Sequence, residues 1–483
     1  MGKRAWIGVA AAVLVVVVAG GGYALLLKSA NDAVERSLAQ FRAGLPAGAS
    51  FAHGGYEVDL LDRSVVIAEP VVDFDGTQGL ETATAAEVRV SGLEPDEART
   101  RAARVELLDV RLVDAAEPST SVAYDRLTAS DVVVEGQPQD LPTAVRATYV
   151  GLLQVDGMSV ETEGVTLSVG ATRLEKVTAG RIGESRQTDV TLSVAGPEGG
   201  EARLRELSLS GLDLSELLAV TPEQAAAMTE EQGMAMASRL LASLTGIRLQ
   251  DFRLRLTGLD APIELASLTM SDPQVYQGYL VGGRSELVGL SIPMGAGFLA
   301  ELRSQAPDIP LGERLTISAE GVQRYEAQEG GLRFDQRVTL QDLAQLEVSL
   351  DLGNLGAPPH AGMSEADLQV LMLGAALRGA EVTVTDLGLL EPALAAVAAE
   401  EGTTPEALVR RLVFDVSRGL RAMAVGPAGE ELVAALEDFL TEGGRLRLSL
   451  APAEAVPLLL VGSVEAPSAA VELLNPSFTA SPR

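Results

Sequence analysis

Polar and apolar residues alternate along much of this chain, and the alternation breaks in the same way each time. The recurring unit is eight residues long: apolar–x–apolar–x–[Asp/Gly]–apolar–x–apolar. It reads VELLDVRL at 105–112, LTASDVVV at 127–134 and LSLSGLDL at 207–214. Shorter versions are VRVSGL at 88–93, VDGMSV at 155–160 behind Leu153, and LQDFRL at 249–254 behind Ile247. Looser copies centre on Asp272 (268–275) and Asp386 (382–389). Strict alternation marks a half-buried strand. One additional residue turns every later side chain to the other face, unless a β-bulge absorbs it, and Gly or Asp suits the backbone of such a bend. The pattern predicts long, bulged, curved strands with one apolar and one polar face. The bend positions are Gly92, Asp109, Asp131, Gly157, Gly211 and Asp251. The apolar positions Val105, Leu107, Leu127, Val132, Val155, Leu207, Leu209 and Phe252 form a candidate apolar groove.

Helical spacing appears at 29–45, where Ala33, Leu38, Phe41 and Leu45 fall roughly on one face. TPEQ at 221–224 combines a Thr N-cap, Pro at the first helical position and Gln completing a capping box. That helix is expected to run to Gly246 with a break at Gly233. Further helices are expected near 364–374 and 388–400, after Thr404 (TPE again), and from Pro427. Strands are expected through 49–215 and at 247–257, 263–277, 284–293, 313–320 and 443–449, with the longest run near 333–350. The fold class is α+β and β-dominated: an N-terminal transmembrane helix, then curved, bulged, mainly antiparallel sheets with helices near 221–245 and 388–440. Four parts are expected: a membrane anchor at 1–28, a connecting helix at 29–48, a repeated-β domain at 49–300 with a helical insert at 221–245, and a second β-plus-helical module at 301–483. Segments 202–218 and 376–392 can be laid on one another. Duplication and shared Ala, Leu and Glu bias both account for that.

The N-terminus carries the clearest functional signal. Residues 5–27 are uncharged and follow Lys3 and Arg4, which is long enough to span a bilayer as a helix. Trp6 and Tyr23 stand near its ends, where amphipathic rings favour the interface, with Leu14, Val17 and Leu27 in the apolar run. The positive-inside rule puts the short N-terminus in the cytoplasm and the rest outside. The alternative is a cleaved leader, processed near Ala19-Gly20-Gly21. Both readings imply export.

Charge and composition exclude more than they assign. The formal net charge is −30, which repels nucleic acid and anionic headgroups. There is no cysteine, so no disulfide or thiolate metal site is available. His53 and His360 lie in turn contexts, without a partner at metal-ligand spacing, and read as loop histidines. DFDG at 73–76 imitates the start of a calcium loop but lacks its remaining ligands. Asp109, Asp131, Asp156, Asp251, Asp272 and Asp386, at or beside the repeat centres, raise the idea of a cation-holding acidic ladder. Like charges in register repel, so the bend role is the better reading. No catalytic motif is present, no cofactor is expected, and the chain reads as a non-enzyme.

The anchor at 5–27 and the early repeats, VVIAEPVV at 65–72, VELLDVRL at 105–112 and LTASDVVV at 127–134, resemble the AsmA-like and YdgA-like envelope proteins, within the broader group of bridge-like repeating-β-groove lipid-transport proteins. The resemblance covers the first half and, more thinly, 260–350. It implies a single-pass protein of the bacterial inner membrane with its bulk in the periplasm, serving envelope maintenance by shielding or transferring lipid acyl chains along an apolar sheet face. The alternative is a structural or assembly factor whose acidic exterior binds another envelope protein. The helices at 221–245 and 388–440 depart from a pure groove.

Overall fold

The computed structural model describes residues 34–35, 38–39, 41–42, 45, 49–59, 61–73, 82–95, 99–113, 120–135, 147–178, 180–197, 199–215, 220, 228–229, 233, 236, 239–240, 242–276, 279–295, 301, 312–359, 363–464 and 466–482. The anchor expected at 5–27, with Trp6, Leu14, Val17, Tyr23 and Leu27, lies outside them, as do Ala33, His360 and the TPEQ helix start. Among the described residues no helix is long and apolar enough to cross a membrane. The fold is β-dominated, and its strands pair antiparallel. It divides into two compact units, Met1–Thr257 and Gly258–Arg483. The boundary expected near 300 therefore moves: the strands over 263–293 belong to the second unit, because they pair with strands that follow them.

The first unit opens with short strands: β1 (Ser50–Ala52), β2 (Gly55–Asp59), β3 (Ser64–Ala68), β4 (Val71–Asp73), β5 (Thr82–Thr84), β6 (Glu87–Ser91) and β7 (Glu94–Pro95). Long strands follow: β8 (Arg99–Val113), β9 (Ser121–Glu135), β10 (Thr148–Thr162), β11 (Val165–Thr178), β12 (Arg181–Val194), β13 (Gly200–Asp213) and β14 (Gly246–Leu256). Each of the long strands pairs with the next. β5, β6 and β7 succeed one another along the other edge of β8, so they are one pass of chain broken twice.

Those breaks continue through every long strand. In β8 the residues without a ladder partner on β9 are Ala103 and Asp109, and opposite them in β9 stand Asp131 and Asp125. The same gap recurs at Gly151 and Gly157, Gly170 and Lys176, Gly183 and Asp189, and Arg205 and Gly211. Two creases therefore cross the sheet, six residues apart along each strand. The second crease residue met along the chain is always left-handed: Asp109 (φ 50°), Asp131 (52°), Gly157 (64°), Lys176 (55°), Asp189 (54°), Gly211 (75°) and Asp251 (51°). Glu69 and Gly92, in the short passes, share that conformation.

The repeat is thus not a bulge in the expected sense. A bulge sets two residues against one and shifts the register. Here both neighbours skip the same rung, so the register runs through unchanged. What reverses is the side-chain alternation: Val105 and Leu107 are buried before the crease, and Val110 and Leu112 after it. A true register shift occurs in the second unit, between β15 (Ile263–Tyr276), β16 (Tyr279–Pro293) and β17 (Arg314–Glu326). There Val288 and Gly289 (φ 65°) oppose Ser318, whose hydroxyl accepts from the Gly289 N–H at 3.1 Å. β17 has no crease, so the surplus residue of β16 must be absorbed.

Beyond β17 no described strand residue is left-handed, and the register shifts where Asp351 and Leu352 oppose Gly379 and Leu377. The run at 333–350, expected as one strand, folds instead as a hairpin of β18 (Gly331–Leu340) and β19 (Ala344–Gly353). Asp342 takes φ 60° in its turn, a conformation short polar side chains tolerate. β20 (Ala376–Asp386), β21 (Arg445–Leu450) and β23 (Pro476–Ser481) complete the sheet, and β22 (Val456–Pro457) pairs with β20.

Helices α1 (Glu365–Gly374), α2 (Leu390–Glu400), α3 (Pro405–Ala422), α4 (Pro427–Glu442), α5 (Leu458–Ser463) and α6 (Pro467–Leu474) accompany this part of the chain. Ser364 and Asp367 form a capping box on α1, and Thr404 caps α3 by accepting from the Ala407 N–H. The core joins Leu332, Leu352, Leu355, Leu371 and Leu377. In the first unit Gly233, where a break was expected, is helical and donates to the Thr229 carbonyl at 2.9 Å.

Candidate functional site

Directly opposed residues of paired strands share a face, so the registers identify each face of β8–β14. Between the creases one row reads Leu107, Leu127, Val155, Thr172, Gln187, Leu207 and Leu249, and a second Val105, Ala129, Leu153, Leu174, Ser185, Leu209 and Ile247. Outside one crease, Val169, Val190, Leu204 and Phe252 align, followed by Val160, Leu167, Leu192, Ala202 and Leu254. No charged side chain occurs in these rows. The other face holds the charges, joined by Arg104–Glu106 (2.7 Å), Arg173–Glu175 (2.8 Å), Arg186–Glu206 (2.6 Å) and Arg205–Asp251 (2.6 Å).

The uncharged face is not uniformly open. Val105 and Val132 are 0% exposed, and Leu107 and Leu127 are buried with them, in one core with Val34, Leu38 and Phe41 of the preceding helical residues and Phe51, Val65, Ile67, Val88 and Val90 of the short strands. These four groove candidates are therefore core, because the opening helical turns and short strands pack with β8 and β9 in one cluster. Val155 is half-buried and packs against that core. Leu207, Leu209 and Phe252 are half-buried further along. Exposure reaches 38% at Leu192, 43% at Val194 and 40% at Leu256. The candidate site is this part of the face, on β10–β14.

The crease residues are structural. Opposite each left-handed residue stands a close neighbour: a Cβ on Gly151 would lie 2.9 Å from the Asp131 Cβ, and one on Gly170 3.0 Å from the Asp189 Cβ. The crease acids are exposed, and Arg205 neutralises Asp251. Among the described residues no group of three or more His, Asp or Glu could hold a metal ion. Asp156 accepts from the Gln154 amide at 2.8 Å.

Asp386 differs from the other repeat centres. It is buried and closes β20, and its Oδ1 accepts from the N–H groups of Gly388, Leu389 and Leu390 at 2.9–3.0 Å. It caps the turn into α2 rather than bending a strand. His53, expected as a loop residue, is half-buried between the rings of Phe51 and Tyr56.

Sequence reasoning missed Lys176, Asp189 and Gly289 as crease residues. Lysine was no part of the motif. Asp189 was hidden because its leading arm carries Ser185 and Gln187 where other copies are apolar.

In the second unit α1 is largely exposed, with Val370 69% and Leu373 54% accessible, and α5, packed against it, exposes Leu459 and Leu460. A shallow open depression there is lined by Asn354, Met363, Asp367, Val370 and Leu371. A protein-family model described only as "Uncharacterized protein" matches residues 337–481, from within β18 through β23. No curated protein matches the chain. The matched segment contains β19–β23 and helices α1–α6, and the creased strands lie outside it.

Proposed function

We propose that this chain is a membrane-anchored, non-catalytic protein of the bacterial envelope whose first unit shields or passes on lipid acyl chains. The observation that supports this most is charge segregation on β10–β14. A half-buried face without a charged side chain persists there in a protein of net charge −30. Contiguous apolar surface of this kind marks an interaction site more often than a free exterior. Its aliphatic walls suit hydrocarbon, and its opposite face is held in water by ion pairs. Lys3 and Arg4 before the uncharged residues 5–27 support placing that unit outside the inner membrane.

The test is mass spectrometry of lipids extracted from the purified full-length chain and from its Leu207→Asp variant. Bound acyl lipid is expected in the first and depletion in the second. A folded unmodified protein free of lipid overturns the reading. A second reading, an assembly factor that binds another envelope protein, draws on the exposed apolar residues of α1 and α5.

A further inference from the structure

We propose that Thr172, Ser185 and Gln187 form a neutral polar notch in the apolar face that holds the carbonyl of an acyl ester. The inference rests on the acyl-binding reading above and goes further by naming the group the face selects.

Throughout the first unit, the two inward positions ahead of a left-handed crease residue are apolar: Val105 and Leu107, Leu127 and Ala129, Leu153 and Val155, Leu207 and Leu209. The rule fails at two adjoining strands only, β11 and β12. There Thr172 stands directly opposite Gln187, and Ser185 lies two residues away on the same face. Ser185 is buried, while Thr172 and Gln187 are half-buried. No hydrogen bond within the chain holds the three side chains, and their polar atoms stay open to solvent, since the buried unpartnered side-chain atoms among the described residues are His53 Nδ1 and Thr385 Oγ1.

On this face these groups reach water, and a hydrocarbon chain laid across them would strip that water at a desolvation cost unless the ligand itself hydrogen-bonds to them. A ligand group that accepts hydrogen bonds would remove that cost. The Gln187 amide and both hydroxyls can donate as well as accept, and an acyl lipid's linkage offers them acceptors, so they serve it as donors. The group they hold is uncharged, because no cation lies on this face to pair with a carboxylate or phosphate. An ester carbonyl flanked by hydrocarbon meets both conditions. Apolar sites with a few convergent polar groups orient ligands in this way.

The experiment uses two photoreactive probes of equal chain length: a methyl ester and a plain hydrocarbon, each with a diazirine at the far end. Both are crosslinked to the full-length chain in membranes, and labelled peptides from β10–β14 are quantified. The ester-to-hydrocarbon labelling ratio is expected to fall about tenfold in Gln187→Leu and about threefold in Thr172→Val, in line with loss of neutral hydrogen bonds. The Thr172→Val change is nearly isosteric and serves if Gln187→Leu fails to fold. Labelling by both probes with a ratio unchanged in either variant overturns the notch and leaves acyl binding standing. No labelling of β10–β14 by either probe overturns both.

Discussion

At the scale of single residues, the creases depend on backbone conformations that few side chains adopt. Gly157 combines φ +64° with a neighbour that leaves no room, since an added Cβ would lie 1.9 Å from the Asp125 Oδ2. Left-handed backbone costs an ordinary residue about 1–2 kcal/mol, and the collision adds to that. Gly157→Ala is expected to lower stability by about 2–3 kcal/mol, whereas Asp131→Gly should stay within about 1 kcal/mol of the parent. Urea denaturation midpoints decide this, and equal effects of the two changes would refute the crease assignment. The positions at Gly92, Asp109, Asp131, Gly157, Gly211 and Asp251 were legible because Gly and Asp advertise their tolerance of such angles. Lys176 was not, since lysine carries no such preference.

Two half-buried carboxylates add a pH dependence. The Ser215 hydroxyl and N–H, with Arg181, hold Asp213 below its ordinary range, and the Arg186 guanidinium does the same for Glu206 against the opposing effect of burial. A depressed folded-state pKa contributes stability that is complete above the unfolded value, about 4. That contribution disappears as pH falls through the lower folded value. The parent should therefore lose stability below about pH 4 more steeply than Glu206→Gln. Parallel slopes in a pH series of unfolding midpoints would contradict this.

At the scale of elements, one motif serves two ends. In β8 and β9 the central Asp bends a strand that continues. In β20 the same spacing ends the strand, and Asp386 satisfies three N–H groups at the entry to α2. Asp386→Ala takes the buried carboxylate from those donors, of which the Leu389 N–H keeps the Leu343 carbonyl at 3.2 Å, and should cost about 2–4 kcal/mol. Thr404→Ala removes a single exposed cap and should cost about 1 kcal/mol. Thermal unfolding of the two variants checks the order. The likeness between 202–218 and 376–392 has a structural counterpart. β13 and β20 each end at an Asp that receives hydrogen bonds from the next turn, and each pairs with a strand returning after a helical excursion. The crease separates them: β13 has left-handed Gly211, whereas β20 has no left-handed residue and shifts register against β19 at Arg378. The cap at Thr404 was readable because a cap is a local bond. The hairpin at 331–353 was not, since TLQDL continues a strand pattern and only pairing across Asp342 reveals the turn.

At the scale of the molecule, the opening strands decide which apolar residues remain available. Leu127 lies in the core and Leu207 on the half-buried face, although the two are equivalent in the repeat. Leu127→Asp should prevent folding by burying an unpaired charge. Leu207→Asp should fold and lose only the bound lipid. Circular dichroism of both variants distinguishes them, and equal behaviour would show that the two positions share one environment. The sequence by itself determined that strands dominate, where most of them bend, where α1, α3 and α4 begin, and that one face of the creased sheet is free of charge. These properties reside in local backbone preference and in alternation along the chain. Only the tertiary structure decided that each bend is matched rung for rung on the neighbouring strand. It alone decided that β8 and β9 are covered while β10–β14 are half-open, and that Thr172, Ser185 and Gln187 meet on one patch. Register and burial join residues distant in the chain, and no single stretch of sequence contains them.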